Sequence, residues 1–159
     1  MNEVREIDAS EWENWRALRL RALREDPDAF ASTLAATLER DAQDGEAYWR
    51  GYFSRPGPAL IAEVDGVPAG MARMVVEDGP AHLYSMWVAP EARGKGVGAH
   101  LVITCIDRLA AHHPGRVLRL EVVESNLSAR RLYSRCGFTV VGPNPEDEAE
   151  IVMEHVPDR

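Results

Sequence analysis

Polar and apolar residues alternate over EVREI, Glu3 to Ile7, which predicts a short strand; the period then lengthens, with Trp12, Trp15, Leu18 and Ala22 at helical spacing. Asp8 or Ser10 can cap that helix, and Glu11 and Glu13 sit near its positive end. Pro27 breaks it. A second helical stretch, TLAATLERDAQDGEAYWRGYF, is interrupted near Gly45. The aromatic stripe reads as a core-facing surface in preference to a ligand cage. Three strand-like runs follow, about 59 to 64, 67 to 77 and 81 to 88, divided by Asp65-Gly66, a hairpin signal, and by Asp78-Gly79-Pro80. A helix from about Val97 to His112 is stopped by Pro114-Gly115, and RVLRLEVVES then reads as a strand. The next helix starts at Ser125 or Asn126 and ends at Gly137. TVV and AEIVMEHV form closing strands, and the acidic, proline-rich GPNPEDEAE is expected as a loop.

A chain of 159 residues can bury one sizeable core and is too short for two ordinary domains, so residues 1–159 are expected to form one domain. No run of eighteen apolar residues marks a membrane span, and the N-terminal MNEVREIDASEWENW is acidic and aromatic, unlike a secretory leader. The expected location is the cytoplasm. Cys105 and Cys136 fall in separate predicted helices without metal-ligand spacing and are expected as free thiols, and no metal is called for. The net charge of -8 argues against a nucleic-acid or anionic-membrane partner and favours a cationic or amine-bearing one.

The candidate chemistry lies in VAPEARGKGVGAHL, where RGKGVG opens directly into a helix. A helix start carries unpaired backbone N–H groups and partial positive charge, so phosphates bind there. Gly94, Gly96 and Gly98 permit close approach and left-handed dihedrals, and Arg93 and Lys95 add charge. A strand-to-helix turn that simply needs glycine is the competing reading. A Walker loop requires Ser or Thr after its lysine, but Lys95 is followed by Gly96; a dinucleotide fingerprint lacks its third glycine, because Leu101 stands there.

RGKGVG also reads as Arg, two free positions, Gly, one free position and Gly, which resembles the acetyl-CoA loop of the GCN5-related N-acetyltransferase (GNAT) family. NLSARRLYSRCGF resembles that family's Asn, Ala, Leu-Tyr and Gly-Phe block, and the match covers about 83 to 140. The resemblance implies an α/β (α+β) fold: a mixed, mostly antiparallel sheet of six or seven strands flanked by helices, with a V-shaped splay between the fourth and fifth strands. It implies acetyl transfer from acetyl-CoA to an amine acceptor by direct attack, and it allows a homodimer.

Carried onto this chain, the resemblance lays the pantetheine arm along Met86, Trp87 and Val88. It sets the pyrophosphate on Arg93, Gly94, Lys95, Gly96, Val97, Gly98 and Ala99. Asn126 becomes a pantetheine contact, although helix capping also explains it. Arg130 and Arg131 either approach the nucleotide phosphates or form a solvated helix face. Tyr133 matches the tyrosine that meets the CoA sulfur, where a phenol can protonate the departing thiolate. An attacking amine must first be neutral, which calls for a base. Some family members carry a glutamate on the fourth strand, but AHLYSMWV has no acid, only His82. Glu121, twelve residues before Tyr133, matches the proposed base of enzymes that acetylate a ribosomal-protein N-terminus; an ordinary strand glutamate is the competing reading. Glu124 and His82 are weaker candidates. A catalytically silent acyl-CoA binding domain is the alternative function.

Overall fold

Strand β1, Asn2–Ile7, leads through a 3₁₀ turn into α1, Trp12–Glu25; the Asp8 side chain accepts from Ser10 N and caps that turn. The computed structural model describes residues 2–30 and 32–158. α1 buries Trp15, Leu18, Arg19 and Ala22, with Trp12 only partly covered, so the aromatic stripe is core. A 3₁₀ turn over Pro27–Ala29 follows, then α2, Leu34–Asp44, capped by Thr33, and α3, Glu46–Arg50. Gly45, at φ 50°, divides these two helices.

The hairpin of β2, Ala59–Val64, and β3, Val67–Val75, turns at Asp65-Gly66. β3 stops two residues short of its expected end because Val76 N donates to the Pro56 carbonyl at 2.8 Å. β4, Ala81–Val88, leads to α4, Val97–His112, then β5, Leu118–Val123, α5, Leu127–Arg135, β6, Thr139–Asn144, and β7, Asp147–His155. The acidic stretch expected as a loop is strand in seven of its nine residues: 142–144 end β6, 147–150 open β7, and 145–146 alone form the turn between them. Asn144 Oδ1 accepts from Glu146 N at 3.1 Å and Asp147 Oδ1 from Ala149 N at 3.0 Å, side-chain bonds that hold the turn. Pro143 is tolerated because β6 is an edge strand.

All seven strands form one sheet in the order β1-β2-β3-β4-β5-β7-β6, with β4–β5 its one parallel pair among the described residues. Side chains of β3 alternate between two helical layers. A Cβ added at Gly70 would meet Leu101 of α4 at 3.1 Å, whereas Arg73 reaches the Tyr52 carbonyl beyond α3. Leu101, beside Gly70, and Leu118 and Leu120 of β5 are almost wholly buried. Replacing Leu101 by alanine would cost roughly 2–5 kcal/mol and loosen the seating of α4.

Two irregularities shape the middle of the sheet. Arg73 pairs with Tyr84 and Met71 with Trp87, so Ala72 faces both Ser85 and Met86, and Ser85 takes φ 56°. This bulge bends β4. β4 and β5 then share only two rungs, Ala81 with Leu118 and His82 with Arg119, before they part. The result is the V-shaped opening that the family resemblance implies between the fourth and fifth strands.

Candidate active site

α4 begins where the glycine loop ends. Gly94 and Gly96 have φ 76° and 79°, a conformation that costs other L-residues roughly 1–2 kcal/mol, and the space around both is open. Gly98 is needed for proximity: a Cβ there would stand 3.0 Å from Leu132 Cδ2, 3.5 Å from Val88 Cγ2 and 3.6 Å from Met86 Cε. The loop, α5 and the end of β4 therefore converge on one face of the sheet. The first intrahelical bond after Gly96 is made by His100 N, which leaves the N–H groups of Val97, Gly98 and Ala99 without helical partners. Arg93 to Gly96 are exposed. Such a surface can hold a pyrophosphate.

The two cations of the loop do different work. Arg93 Nη2 donates to Asp26 Oδ2 at 2.6 Å and Nε to the Val88 carbonyl at 3.1 Å, tying the loop to the end of α1. Lys95 is exposed, and its carbonyl accepts from Asn2 Nδ2 at 3.0 Å. Asp26 Oδ2 also accepts from Trp87 Nε1 at 2.7 Å. Burial pushes the Asp26 carboxyl up, but the bonds from Trp87 and Arg93 outweigh it and leave the group below the usual carboxylate range. Sequence reasoning missed Asp26, whose only visible signal was its position before the helix-breaking Pro27.

Met86 and Val88 face α4, and Trp87 faces the α1 side. Past the His82–Arg119 rung, Leu83 to Val88 of β4 have no partner on β5, so their main chain is open to the splay. Asn126 caps α5, its Oδ1 accepting from Ala129 N at 3.2 Å. Arg130 donates to the Glu124 carbonyl at 3.0 Å. Tyr133 is 7% exposed and packs against Phe138 with ring centroids 5.8 Å apart. Its phenol makes no hydrogen bond to any described residue, and burial, then the Cys136 and Cys105 sulfurs, push its pKa up.

Glu121 lies on the opposite face of the sheet. Its Oε1 stands 3.9 Å from His82 Nε2, and the His82 ring stacks on Tyr84 with centroids 5.6 Å apart. Tyr84 and Ser85 in turn line a groove of about 670 Å³ that also includes Arg19, Tyr48, Tyr52 and Arg73. The sequence-derived residues thus fall into two groups: the loop, Met86, Val88 and Tyr133 on the α4 face, and Glu121 with His82 on the groove face. The splay is the opening between them. No group of three His, Cys, Asp or Glu side chains among the described residues is arranged to hold a metal ion.

Residues 3–138 match the model of the acetyltransferase (GNAT) family. The chain belongs to that family. A mycothiol acetyltransferase of Beutenbergia cavernae is 33% identical over 130 residues, covering 80% of this chain and 41% of that protein. This GNAT chain therefore spans about two fifths of the length of the mycothiol acetyltransferases it matches along most of its own length. The PaiA N-acetyltransferase of Thermoplasma acidophilum, solved in complex with coenzyme A, superposes with a TM-score of 0.77 at 17% identity, covering 99% of each chain. The ribosomal-protein-S18-alanine N-acetyltransferase of Escherichia coli does so at 0.73 and 20% identity, covering 100% of this chain and 96% of that one. At these identities the superpositions establish the GNAT fold.

Proposed function

We propose that this GNAT chain transfers an acetyl group from acetyl-CoA to a primary amine on a small molecule, by direct attack while both are bound. One observation carries the reading: the splay joins an exposed glycine loop with unpaired N–H groups on one face of the sheet to a carboxylate–imidazole pair beside a groove on the other. The groove's size is that of a small-molecule site, and the likeness to a mycothiol acetyltransferase supports an acceptor of that class.

Acetyl-CoA, when bound, supplies an activated thioester. N–H groups from Gly94 to Ala99 hold its pyrophosphate, and Arg93 fixes the loop that presents them. The open main chain from Met86 to Val88 pairs with the pantetheine arm as an added strand would. On the other face Glu121, directly or through a water, takes the proton that a protonated amine must lose, with His82 beside it. The amine nitrogen then bonds to the acetyl carbon and the carbon–sulfur bond breaks; the Tyr133 phenol gives a proton to the departing sulfur, and the second proton, shed by the new amide nitrogen, passes through water and restores the phenol. Burial suits that role, since it keeps the phenol protonated at neutral pH. Holding both reactants across the splay supplies the proximity.

The test is titration calorimetry with acetyl-CoA and CoA on the wild type and on Gly96→Glu, with folding followed by circular dichroism. Saturable binding lost in a folded Gly96→Glu protein, with thiol release on an amine panel, supports the proposal. Binding without turnover of any amine points to an acyl-CoA binding domain, and no binding to the wild type refutes the donor assignment.

A further inference from the structure

Arg19 of α1 is 6% exposed, and its Nε and Nη1 are sealed from solvent without a hydrogen-bond partner. The Phe30 ring covers its guanidinium at 4.6 Å, and no carboxylate among the described residues pairs with it. Arg73, 3% exposed, also lacks a carboxylate but spends its donors on the carbonyls of Tyr52, Arg55, Gly57, Pro58 and Met74. Both arginines line the groove that Tyr84 and Ser85 connect to the splay. The groove's other cations are neutralised, Arg40 by Asp44 at 3.6 Å and Arg55 by Glu77.

A chain of net charge -8 thus keeps two buried positive charges in the groove with no carboxylate in ion-pair contact, and one of them has donors to spare. Buried charges are ordinarily paired, and buried donors ordinarily bonded. Overall charge suggested a cationic acceptor, but the local charge of the groove has the opposite sign. A planar guanidinium is suited to a carboxylate.

We propose that Arg19 anchors a carboxylate on the acceptor, so that the substrate class is small amines that also carry a carboxylate, of the amino-acid type. The acid group meets Arg19 where its side chain lines the groove and gives it the counter-charge it lacks, and the amine reaches past Tyr84 to Glu121. The inference rests on the acetyltransferase reading above.

The experiment follows thiol release at saturating acetyl-CoA on matched acceptors: free L-amino acids, their methyl esters and their decarboxylated amines. For the wild type, kcat/KM is expected to be at least about tenfold higher on the acids, because a site built to bind a polar group rejects analogues that lack it. Arg19→Ala should raise KM for the acids about 10- to 100-fold with kcat nearly unchanged, and leave the esters and the calorimetric affinity for acetyl-CoA unaffected. Arg19→Lys should recover part of the preference. Equal use of acids and esters by the wild type overturns the proposal, as does a preference that survives in folded Arg19→Ala. Acetyl-CoA binding with no acid acetylated also overturns it and leaves the donor site standing, whereas absence of acetyl-CoA binding overturns both readings.

Discussion

His82, on the last rung β4 and β5 share, has its Nε2 3.9 Å from Oε1 of Glu121, two residues beyond its rung partner Arg119, so the pair stands where the strands begin to part. A water or a small side-chain movement closes that distance, and catalytic hydrogen bonds commonly tighten only when substrate is bound. Glu121→Gln should therefore lower kcat about 100-fold while acetyl-CoA affinity, read by calorimetry, stays constant. His82→Gln should have a smaller effect. An unchanged kcat in Glu121→Gln would assign the amine proton to water or to His82.

Tyr133→Phe separates chemistry from packing. The phenol oxygen bonds to no described residue and the ring packs on Phe138, so the variant should keep its melting temperature within a few degrees. Loss of the proposed proton donor should still reduce kcat by about 100-fold or more. Equal kcat in the two proteins would leave Tyr133 a core residue only.

Asp26 holds Trp87 and Arg93 through one carboxylate oxygen. Asp26→Ala strands the indole N–H and releases the loop, which should cost about 1–3 kcal/mol in urea unfolding. Because Trp87 and Arg93 flank the main chain proposed to hold the donor, acetyl-CoA affinity should fall in parallel. Unchanged affinity in a destabilised variant would show that the clamp serves the fold alone.

Asp41 accepts from Arg16 Nε at 2.8 Å and from Trp49 Nε1 at 2.6 Å, joining α1, α2 and α3. Its pKa is lowered from 3.8 to about 2, by Arg16 first and Trp49 second. A group depressed in the folded state contributes stability above its unfolded pKa and loses it as pH falls through the folded one. The contribution, about 1–2 kcal/mol after allowance for partial exposure, should thus be complete at pH 6 and fade between about pH 4 and 2. Denaturant unfolding of wild type and Asp41→Asn across that range should show the gap between them closing as pH falls.

Cys105 is buried, and burial pushes its thiol up to about 12. It should resist iodoacetamide until the protein unfolds. Replacing Cys105 and Cys136 together by alanine should leave turnover within about threefold, since direct transfer uses no acyl-enzyme. Turnover lost while acetyl-CoA still binds would count against direct transfer.

RGKGVG, the Asp65-Gly66 turn and the cap at Asn126 were legible in the sequence because the terms behind them are local: left-handed dihedrals, a helix start, a side chain bonded three residues on. The α1 stripe was legible through its period, and the family resemblance carried the expectation of a splay. Tertiary structure decided where contacts span long separations. Asp26 meets Trp87 and Arg93 across 61 and 67 residues, and no periodicity marks it. The strand register brings Glu121 to His82, and the Ser85 bulge resets which β4 side chains face the groove. GPNPEDEAE looked like a loop because charge and proline obscure an edge hairpin held by its own Asn and Asp side chains. Arg19, between Leu18 and Ala22 of the α1 stripe, carried no signal of its own in the sequence. Its lack of a counter-charge belongs to the packing of α1 against β3 and the groove, since the sign of a local field depends on which residues fold together, not on the chain's total charge.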